Sequence, residues 1–410
     1  MPKKLIIAEK PSVAADIART LGGFTRKGEY FESDKYVLSS AVGHLLQLTL
    51  PPEHDVKKGK WSFANLPVVP PHFDLAPIEK SESRLNILLK LLKRKDVSGI
   101  INACDAGREG ELIFRYIAQY SKTKKPIERL WLQSMTQSAI RDGFAVLRQD
   151  RDLLPLADAA KSRSEADWLV GINGTRAMTA FNSKEGGFYL TTVGRVQTPT
   201  LAILVEREEK IRAFQPRDYW EVHARFGAAA GEYAGRWYDS DFKKDDDAER
   251  KAERLWKAER AEAIAAASTG KPGTATEETK PSTQASPLLY DLTSLQREAN
   301  GRFGFSAKGT LSLAQSLYER HKALTYPRTD ARALPEDYVA TVKKTMDALA
   351  GVKEFAPFAK QVLKSGWVRP NKRIFDNSKI SDHFAIIPTL QTPGHLSEPE
   401  AKLYDLVVRR

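Results

Sequence analysis

A chain of 410 residues with 41% hydrophobic content can bury several cores, and at about 150 residues per domain it is too long for one. Lysine and arginine total 64 against 52 acidic residues, and the net charge of +12 favours a polyanionic partner such as nucleic acid. The single cysteine, Cys104, excludes internal disulfides and cysteine-rich zinc sites; the seven histidines offer no paired-ligand spacing, and no apolar run suits a signal peptide or a membrane span, so a reducing, cytoplasmic setting is expected.

Lys3–Ala8 reads as a buried strand, and the residues after it as a helix that opens near Pro11 and Ser12 and stops at Gly22. A second unit of this kind lies in SESRLNILLKLLKRKDVSGIINACDAGREGELIFRYIAQY. There a helix with leucines at period 3.6 leads to the strand Gly99–Ala103, a tight turn, and another helix from about Glu109. Alternating β and α units mean a mostly parallel sheet with helices on its faces. Residues 155–215 are helix-rich, whereas DYWEVHARFGAAAGEYAGRWYDSDF alternates like antiparallel strands, so the fold type changes near Pro216. The Thr-, Ser-, Pro- and Gly-rich residues 268–287 read either as a flexible connector or as polar edge strands crossing between domains, and the second reading is preferred. From there to about residue 385 the pattern is helical again, and there is no internal repeat.

Two stretches carry chemistry. In NACDAGREGEL, Asp105, Glu109 and Glu111 surround two glycines directly after a buried strand, at the sheet edge where parallel-sheet proteins place their sites. Glycines there allow a sharp turn and close backbone approach, and hard oxygen ligands suit Mg2+, which takes one or two carboxylates and keeps several waters. Glu9, at the end of the first strand, converges on the same edge with Lys10 beside it. The structural alternative makes Glu109 and Glu111 first-turn acids that complement a helix dipole, Asp105 a cap, and Lys10 a solvated charge. In LTYPRTD, Pro327 pushes Tyr326 toward an extended conformation, so its phenol is displayed from a bend two residues before Arg328. The alternative there is a half-buried packing tyrosine.

The segments AEKPSVA, ACDAGREGELIFRY, DWLVGINGTRAM, TTVGRVQTPTLAILVERE, LYDLTSLQREANGRFGFSA, LTYPRTD and SDHFAIIPT, in this order, resemble the type IA DNA topoisomerases, in their topoisomerase III branch. The resemblance implies a multi-domain α/β and α+β fold: a Toprim-type parallel-sheet domain, helical domains and a β-rich arch, joined in a toroid. The boundaries it implies are 1–152 for the Toprim domain, 153–215 for the first part of a helical single-stranded-DNA-binding domain, and 216–285 for the first part of the arch. Residues 286–386 then form the helical domain carrying the tyrosine, and 387–410 begin the return into the arch.

The resemblance also assigns roles. Tyr326 becomes the nucleophile that cleaves single-stranded DNA and keeps the 5′-phosphate, with Arg328 as the phosphate-binding cation. A phenol of pKa about 10 needs such a cation to stabilise its anion and the charge on the phosphoryl oxygens. Lys10 stabilises or protonates the leaving oxygen, Glu9 and His383 belong to the same centre, and Glu9, Asp105 and Glu109 are the ligands for Mg2+. Arg163, Asp167, Trp168, Arg176, Gly194, Arg195, Val196, Gln197, Thr198 and Gln296 fall where the family grips single-stranded DNA, cations tracking phosphates while aromatics hold bases. Trp61 is either another contact or a plug in the first domain's core. No GxxxxGK[ST] loop is present, in keeping with ATP-independent relaxation of negative supercoils and decatenation. A monomer near the nucleoid, with a helicase as a candidate partner and no membrane, is the expected setting.

The chain departs from the family pattern in two places. Gly107 stands where the commoner form of the acidic motif carries a second aspartate, which removes one candidate ligand and points to one weakly held Mg2+ rather than a fixed pair. The chain also stops at LYDLVVRR, in the middle of a motif, which reads as a fragment or a truncated relative. Two other classes compete with the enzyme: a non-catalytic single-strand-binding remnant, and a Toprim nuclease or primase, for which LTYPRTD would have no purpose.

Overall fold

The apolar run near the amino terminus forms β1 (Lys3–Ala8), in which Leu5, Ile6, Ile7 and Ala8 are fully buried. The computed structural model describes residues 2–54, 61–132 and 134–410, and the chain divides into two units, Met1–Arg195 with Ala285–Arg410, and Val196–Gln284. In the first unit β1 is followed by β2 (Thr25–Lys27), β3 (Tyr30–Glu32), β4 (Tyr36–Ser40), β5 (Leu46–Leu48), β6 (Leu75–Pro77), β7 (Val97–Ala103), β8 (Ile127–Arg129) and β9 (Arg148–Gln149). A seven-stranded sheet runs in the order β2-β3-β4-β1-β7-β8-β9, while β5 and β6 pair separately. Strands β4, β1, β7 and β8 are parallel, and the strands at both edges are antiparallel.

Helices α1 (Pro11–Leu21), α2 (Glu82–Leu92), α3 (Arg108–Ser121) and α4 (Gln137–Ala145) cover the sheet. Because successive strand residues point to opposite faces, β1 feeds two cores at once. Leu5 and Ile7 pack with Leu85, Leu88 and Phe114, whereas Ile6 and Ala8 pack with Ile17, Leu130 and Ile140. This explains why β1 is apolar without alternation. The long helix α5 (Leu154–Asn182), opened by Pro155, docks on α3, where the Tyr116 hydroxyl lies 2.9 Å from Ser164 Oγ.

The second unit holds α6 (Gln197–Arg212), the antiparallel hairpin of β10 (His223–Ala228) and β11 (Gly231–Arg236), and α7 (Ala258–Ser268). Phe226 and Tyr233 stack across the hairpin with ring centroids 5.1 Å apart, as expected for a cross-strand aromatic pair. The polar edge strands expected over 268–287 do not form. Residues 271–287 are irregular and exposed throughout, because the segment has no alternating apolar face to bury and Pro272, Pro281 and Pro287 withhold backbone donors.

The chain re-enters the first unit through α8 (Leu292–Phe303), α9 (Ala307–Glu319), α10 (Val339–Leu349), α11 (Ala356–Lys364) and α12 (Glu398–Arg409). Reciprocal capping boxes, Asp291 with Ser294 and Ser397 with Glu400, start α8 and α12. Their core joins Leu295, Ala299, Ala314, Leu317, Leu403 and Leu406. Between the helices, two extended stretches run antiparallel: the Thr325 N–H donates to the Ile387 carbonyl (3.0 Å), Thr389 to Ala323 (2.9 Å), and Ala385 to Ala333 (3.0 Å). That pairing brings LTYPRTD alongside SDHFAIIPT. Among the described residues no helix is long and apolar enough to cross a membrane.

Candidate active site

The carboxyl ends of β1 and β7 lie side by side, which places Glu9 and Asp105 on one edge. A buried arginine shapes the turn after β7. Arg129, at the end of β8, donates through Nη1 to the carbonyls of Asn102 (3.1 Å), Cys104 (2.7 Å) and Leu130 (2.7 Å), and through Nη2 to that of Asp105 (2.7 Å). Its charge is met by Glu111, whose Oε2 lies 3.2 Å from Arg129 Nε and accepts from Asn102 Nδ2 at 3.0 Å, while Oε1 accepts from Arg115 at 2.7 Å. Glu111 is fully buried, so this acid is structural. Gly110 permits the close approach expected of the turn, since a Cβ there would lie 2.3 Å from the Asp105 carbonyl oxygen. The opposite lip is strained: Val42, at φ 68, donates its N–H to the Glu9 carbonyl at 2.7 Å.

Tyr326 is carried to this edge by the antiparallel pairing described above. Lys10 Nζ sits 4.2 Å from the centre of its ring, the His383 ring is 4.3 Å away, and Tyr318 meets it edge-on at 5.3 Å. Lys10 donates to Asp105 Oδ2 at 2.6 Å and lies 3.9 Å from Glu9, while His383 Nε2 is 3.4 Å from that same Asp105 oxygen. Arg328 is exposed, its Nε 3.4 Å from Gln315 Oε1. Lys10, Asp105, Tyr326, Asp382 and His383 line a cavity of about 890 Å³. The structure therefore gathers Glu9, Lys10, Asp105, Tyr326 and His383, with Arg328 at the rim. Glu109 is 54% exposed and faces His44 (3.4 Å) and Arg163 (3.2 Å).

The electrostatics follow from this crowding. Burial, then Asp105, pushes the Glu9 carboxyl up to about 7. Burial and Asp105 also raise Asp382. Burial, then the neighbouring Lys10, depresses His383 to about 4, so it is a neutral imidazole at pH 7. Burial lifts the Tyr326 phenol against the opposing pull of Lys10 and Arg328. Burial works against the Lys10 ammonium, but Asp105 and Glu9 outweigh it and the pKa is raised. Among the described residues no three His, Cys, Asp or Glu stand at cation-holding spacing, with Lys10 paired to Asp105. The donors are nonetheless hard oxygens, and Glu9 Oε2 is buried without a hydrogen-bond partner among the described residues.

The residues expected to hold DNA distribute along α5 and beyond it. Arg163 and Asp167 lie one turn apart on one face, and Arg195 forms an ion pair with Asp167, its Nη2 3.2 Å from Oδ2. Trp168 meets Phe73 edge-on at 5.4 Å. Arg176 is buried, donates to the His54 carbonyl at 3.1 Å, and stands 5.5 Å from the Trp61 ring, which also contacts Phe188 at 5.7 Å. Gly194 adjoins Arg195 in the loop after α5. Val196, Gln197 and Thr198 begin the second unit at the start of α6. Gln296, on α8, donates to the Ala307 carbonyl at 2.9 Å. Sequence reasoning missed Arg129, Gln315 and Asp382, and also Asp337, which accepts from Ser134 (3.1 Å) and Thr136 (2.9 Å). Only Asp382 had a signal, its place beside His383 in SDHFAIIPT.

Comparison with known proteins places this chain in a family. Residues 4–135 match the Toprim domain, and residues 154–410 match the DNA topoisomerase family. The chain belongs to the type IA DNA topoisomerases. Within them it is a homologue of DNA topoisomerase 3: it is 42% identical over 417 residues to that protein of Bacillus cereus, and 43% identical over 418 residues to that of Shouchella clausii. All of the chain is covered in both comparisons, against 54% of each relative, so it spans about half their length. Full-length topoisomerase I from Thermotoga maritima shares the fold, with a TM-score of 0.55 at 22% identity over 98% of this chain and 59% of that one.

Glu111→Gln should destabilise the protein by about 3–5 kcal/mol, because it leaves Arg129 buried beside a neutral partner; chemical denaturation followed through the unit's tryptophans reads this. An unchanged midpoint would show that the Arg129 charge is satisfied by carbonyls alone. For Glu9, a raised pKa means that the associated stability is fully present below the ordinary value of 4.5 and is lost as pH rises through about 7. Glu9→Gln should therefore melt a few degrees above the parent at pH 8 and together with it at pH 4. Coincident melts at pH 8 would place Glu9 in a well-solvated environment.

Proposed function

We propose that this chain carries the cleavage and rejoining centre of a Mg2+-dependent type IA topoisomerase acting on single-stranded DNA. The observation that carries the reading is the seating of Tyr326 beside Lys10, His383 and Arg328, against the Glu9–Asp105 edge. Tyr326 Oη attacks the scissile phosphorus; the Oη–P bond forms and the P–O3′ bond breaks. The phenolic proton leaves the tyrosine and the departing 3′-oxygen gains one. The reverse reaction restores the strand, and since one ester replaces another no ATP is consumed.

Each neighbour has work that follows from its charge. Burial keeps the resting phenol protonated, so Lys10 and Arg328 lower the cost of phenolate and phosphoryl charge. Lys10, held cationic by Asp105, is the group that meets the leaving 3′-oxygen. Glu9, titrating at about 7, can hold or release a proton at Oε2 near neutrality. Neutral His383 can donate a hydrogen bond to a phosphoryl oxygen without adding charge. Glu9 and Asp105 are the residues that would hold Mg2+, whose bound charge would steady the DNA backbone around the break. Arg163 and Arg195 would track phosphates, with Trp168 and Trp61 offering stacking faces. Relaxation of negative supercoils and decatenation, a β-rich arch and a toroidal ring belong to the same proposal.

Tyr326→Phe removes one hydroxyl, so it should bind labelled single-stranded DNA as the parent does and yield no covalent protein–DNA adduct after a denaturing quench. Labelled DNA attached to the Phe variant would sink the nucleophile assignment. Arg328→Ala should slow adduct formation about 10²- to 10³-fold, the usual loss for one preorganised charge-stabilising group. Arg328→Lys should recover only part, because an ammonium lacks the guanidinium fork. Equal rates for parent, Ala and Lys proteins would make Arg328 structural.

A further inference from the structure

The cavity that holds Tyr326 does not end at the tyrosine. It continues along α1 and past β3 and β4, where Arg19, Arg26, Arg84 and Lys322 line it together with Asp16 and Glu29. Four cations meet two acids there, and both acids are already matched: Arg19 lies 2.9 Å from Asp16, and Arg84 lies 3.0 Å from Glu29. Arg26 and Lys322 are the remainder. Both are exposed; Arg26 Nε donates to the Gly28 carbonyl at 3.2 Å and Lys322 Nζ lies 5.8 Å from the centre of the Tyr318 ring, but among the described residues neither is in an ion pair. Lys322 has a left-handed backbone, φ 56, and its carbonyl accepts from Thr389 Oγ1 at 2.5 Å. Glycine takes that conformation without strain, so a lysine there carries a conformational cost. The Tyr318 ring beside it is the one that meets Tyr326 edge-on.

The sheet separates this arm from the cations of α5. Ile17 of α1 packs with Ile6 and Ala8 on one face, whereas Ala160 of α5 packs with Leu5 and Ile7 on the other. Tyr326 stands at the edge between the two faces, beside Lys10 at the end of β1. We propose that the α1 arm is a second strand-binding subsite, in which Arg26 and Lys322 hold phosphates of the same single strand on the far side of Tyr326 from α5. The proposal rests on the reading of this chain as a centre that cleaves single-stranded DNA. Val13, Phe31, Leu132 and Met135 give the arm apolar walls against which bases can lie while the cations track the backbone. With Arg163 and Arg195 on one side of the break and Arg26 and Lys322 on the other, neither fragment of a cut strand depends on the tyrosine link alone. Each end keeps its phosphates in contact with the protein, which favours rejoining of the same two ends.

The test is the salt dependence with which the 410-residue protein binds a fluorescent oligothymidine long enough to cross both faces. On a single strand each lost phosphate contact lowers the slope of log K against log salt by about 0.7, so Arg26→Gln with Lys322→Gln should lower it by about 1.4. Arg26→Lys with Lys322→Arg keeps both charges and should keep the parent's slope. Both residues are exposed, so the melting temperature should not move in either pair. Arg163→Gln with Arg195→Gln tests the α5 side separately. If that pair lowers the slope while the Arg26 and Lys322 pair leaves it unchanged, this inference is overturned and the reading of a strand-binding centre stands. If neither pair changes the slope, that reading falls and the inference with it. Two strands bound per protein, one of them lost with the Arg26 and Lys322 pair, would also overturn the inference, because the arm would then hold a separate molecule.

Discussion

Everything at this site depends on one buried guanidinium. Arg129 gathers four carbonyls from the ends of β7 and β8 and is balanced by the fully buried Glu111 one turn into α3. The Asn102 and Asp105 carbonyls also accept from the N–H groups of Leu130 and Gly107, each at 2.9 Å, so Arg129 adds a second bond to these two and meets the carbonyls of Cys104 and Leu130, which would be costly to leave unpaired in the interior. Arg129 thus braces the turn that follows β7. Asp105 leaves the sheet at that turn, with Gly110 allowing α3 to start against its carbonyl. The backbone of the acid edge is thus tied by several hydrogen bonds to one buried charge.

The facing half is built differently. Tyr326 is not on a helix or in a sheet of its own but on an extended segment held by a few backbone hydrogen bonds to residues 385–389. Contacts with the sheet side are polar and ionic: Lys10 against the tyrosine ring, His383 beside Asp105, and Asp337 with Ser134 and Thr136. Interfaces of this kind separate more readily than apolar ones, because water can replace each contact. Such an interface would suit the cleavage and rejoining centre proposed above.

Charge is also out of balance there by design of the neighbours rather than of any one residue. Glu9, Asp105 and Asp382 repel one another, and Lys10 is the cation paired with Asp105. The result is a raised Glu9, a neutral His383 and a phenol whose pKa burial raises. The strained Val42 on the lip, bonded to the Glu9 carbonyl, is consistent with conformational energy stored next to this cluster.

Much of this was legible in the sequence by itself. An unbroken apolar strand at Leu5–Ala8 requires cover on both faces, which is why the parallel α/β core could be read from periodicity. The glycines after Asp105 announced a tight turn, and Pro327 announced that Tyr326 is displayed rather than buried in a helix. Residues 268–287 misled because composition cannot tell an edge strand from a coil when neither has an apolar face. What only the tertiary structure decided was partnership. Glu109 and Glu111 look alike in sequence, two residues apart, yet one faces His44 and Arg163 at the surface and the other is sealed against Arg129. Gly107 and Asp382 stand 275 positions apart in the chain, yet a Cβ on Gly107 would lie 2.0 Å from Asp382 Oδ1, and that complementarity exists only after two segments with no local reason to meet are folded against each other. Local chemistry is written in short-range spacing; which charge compensates which is set by three-dimensional proximity, and that is fixed by the packing of the whole unit.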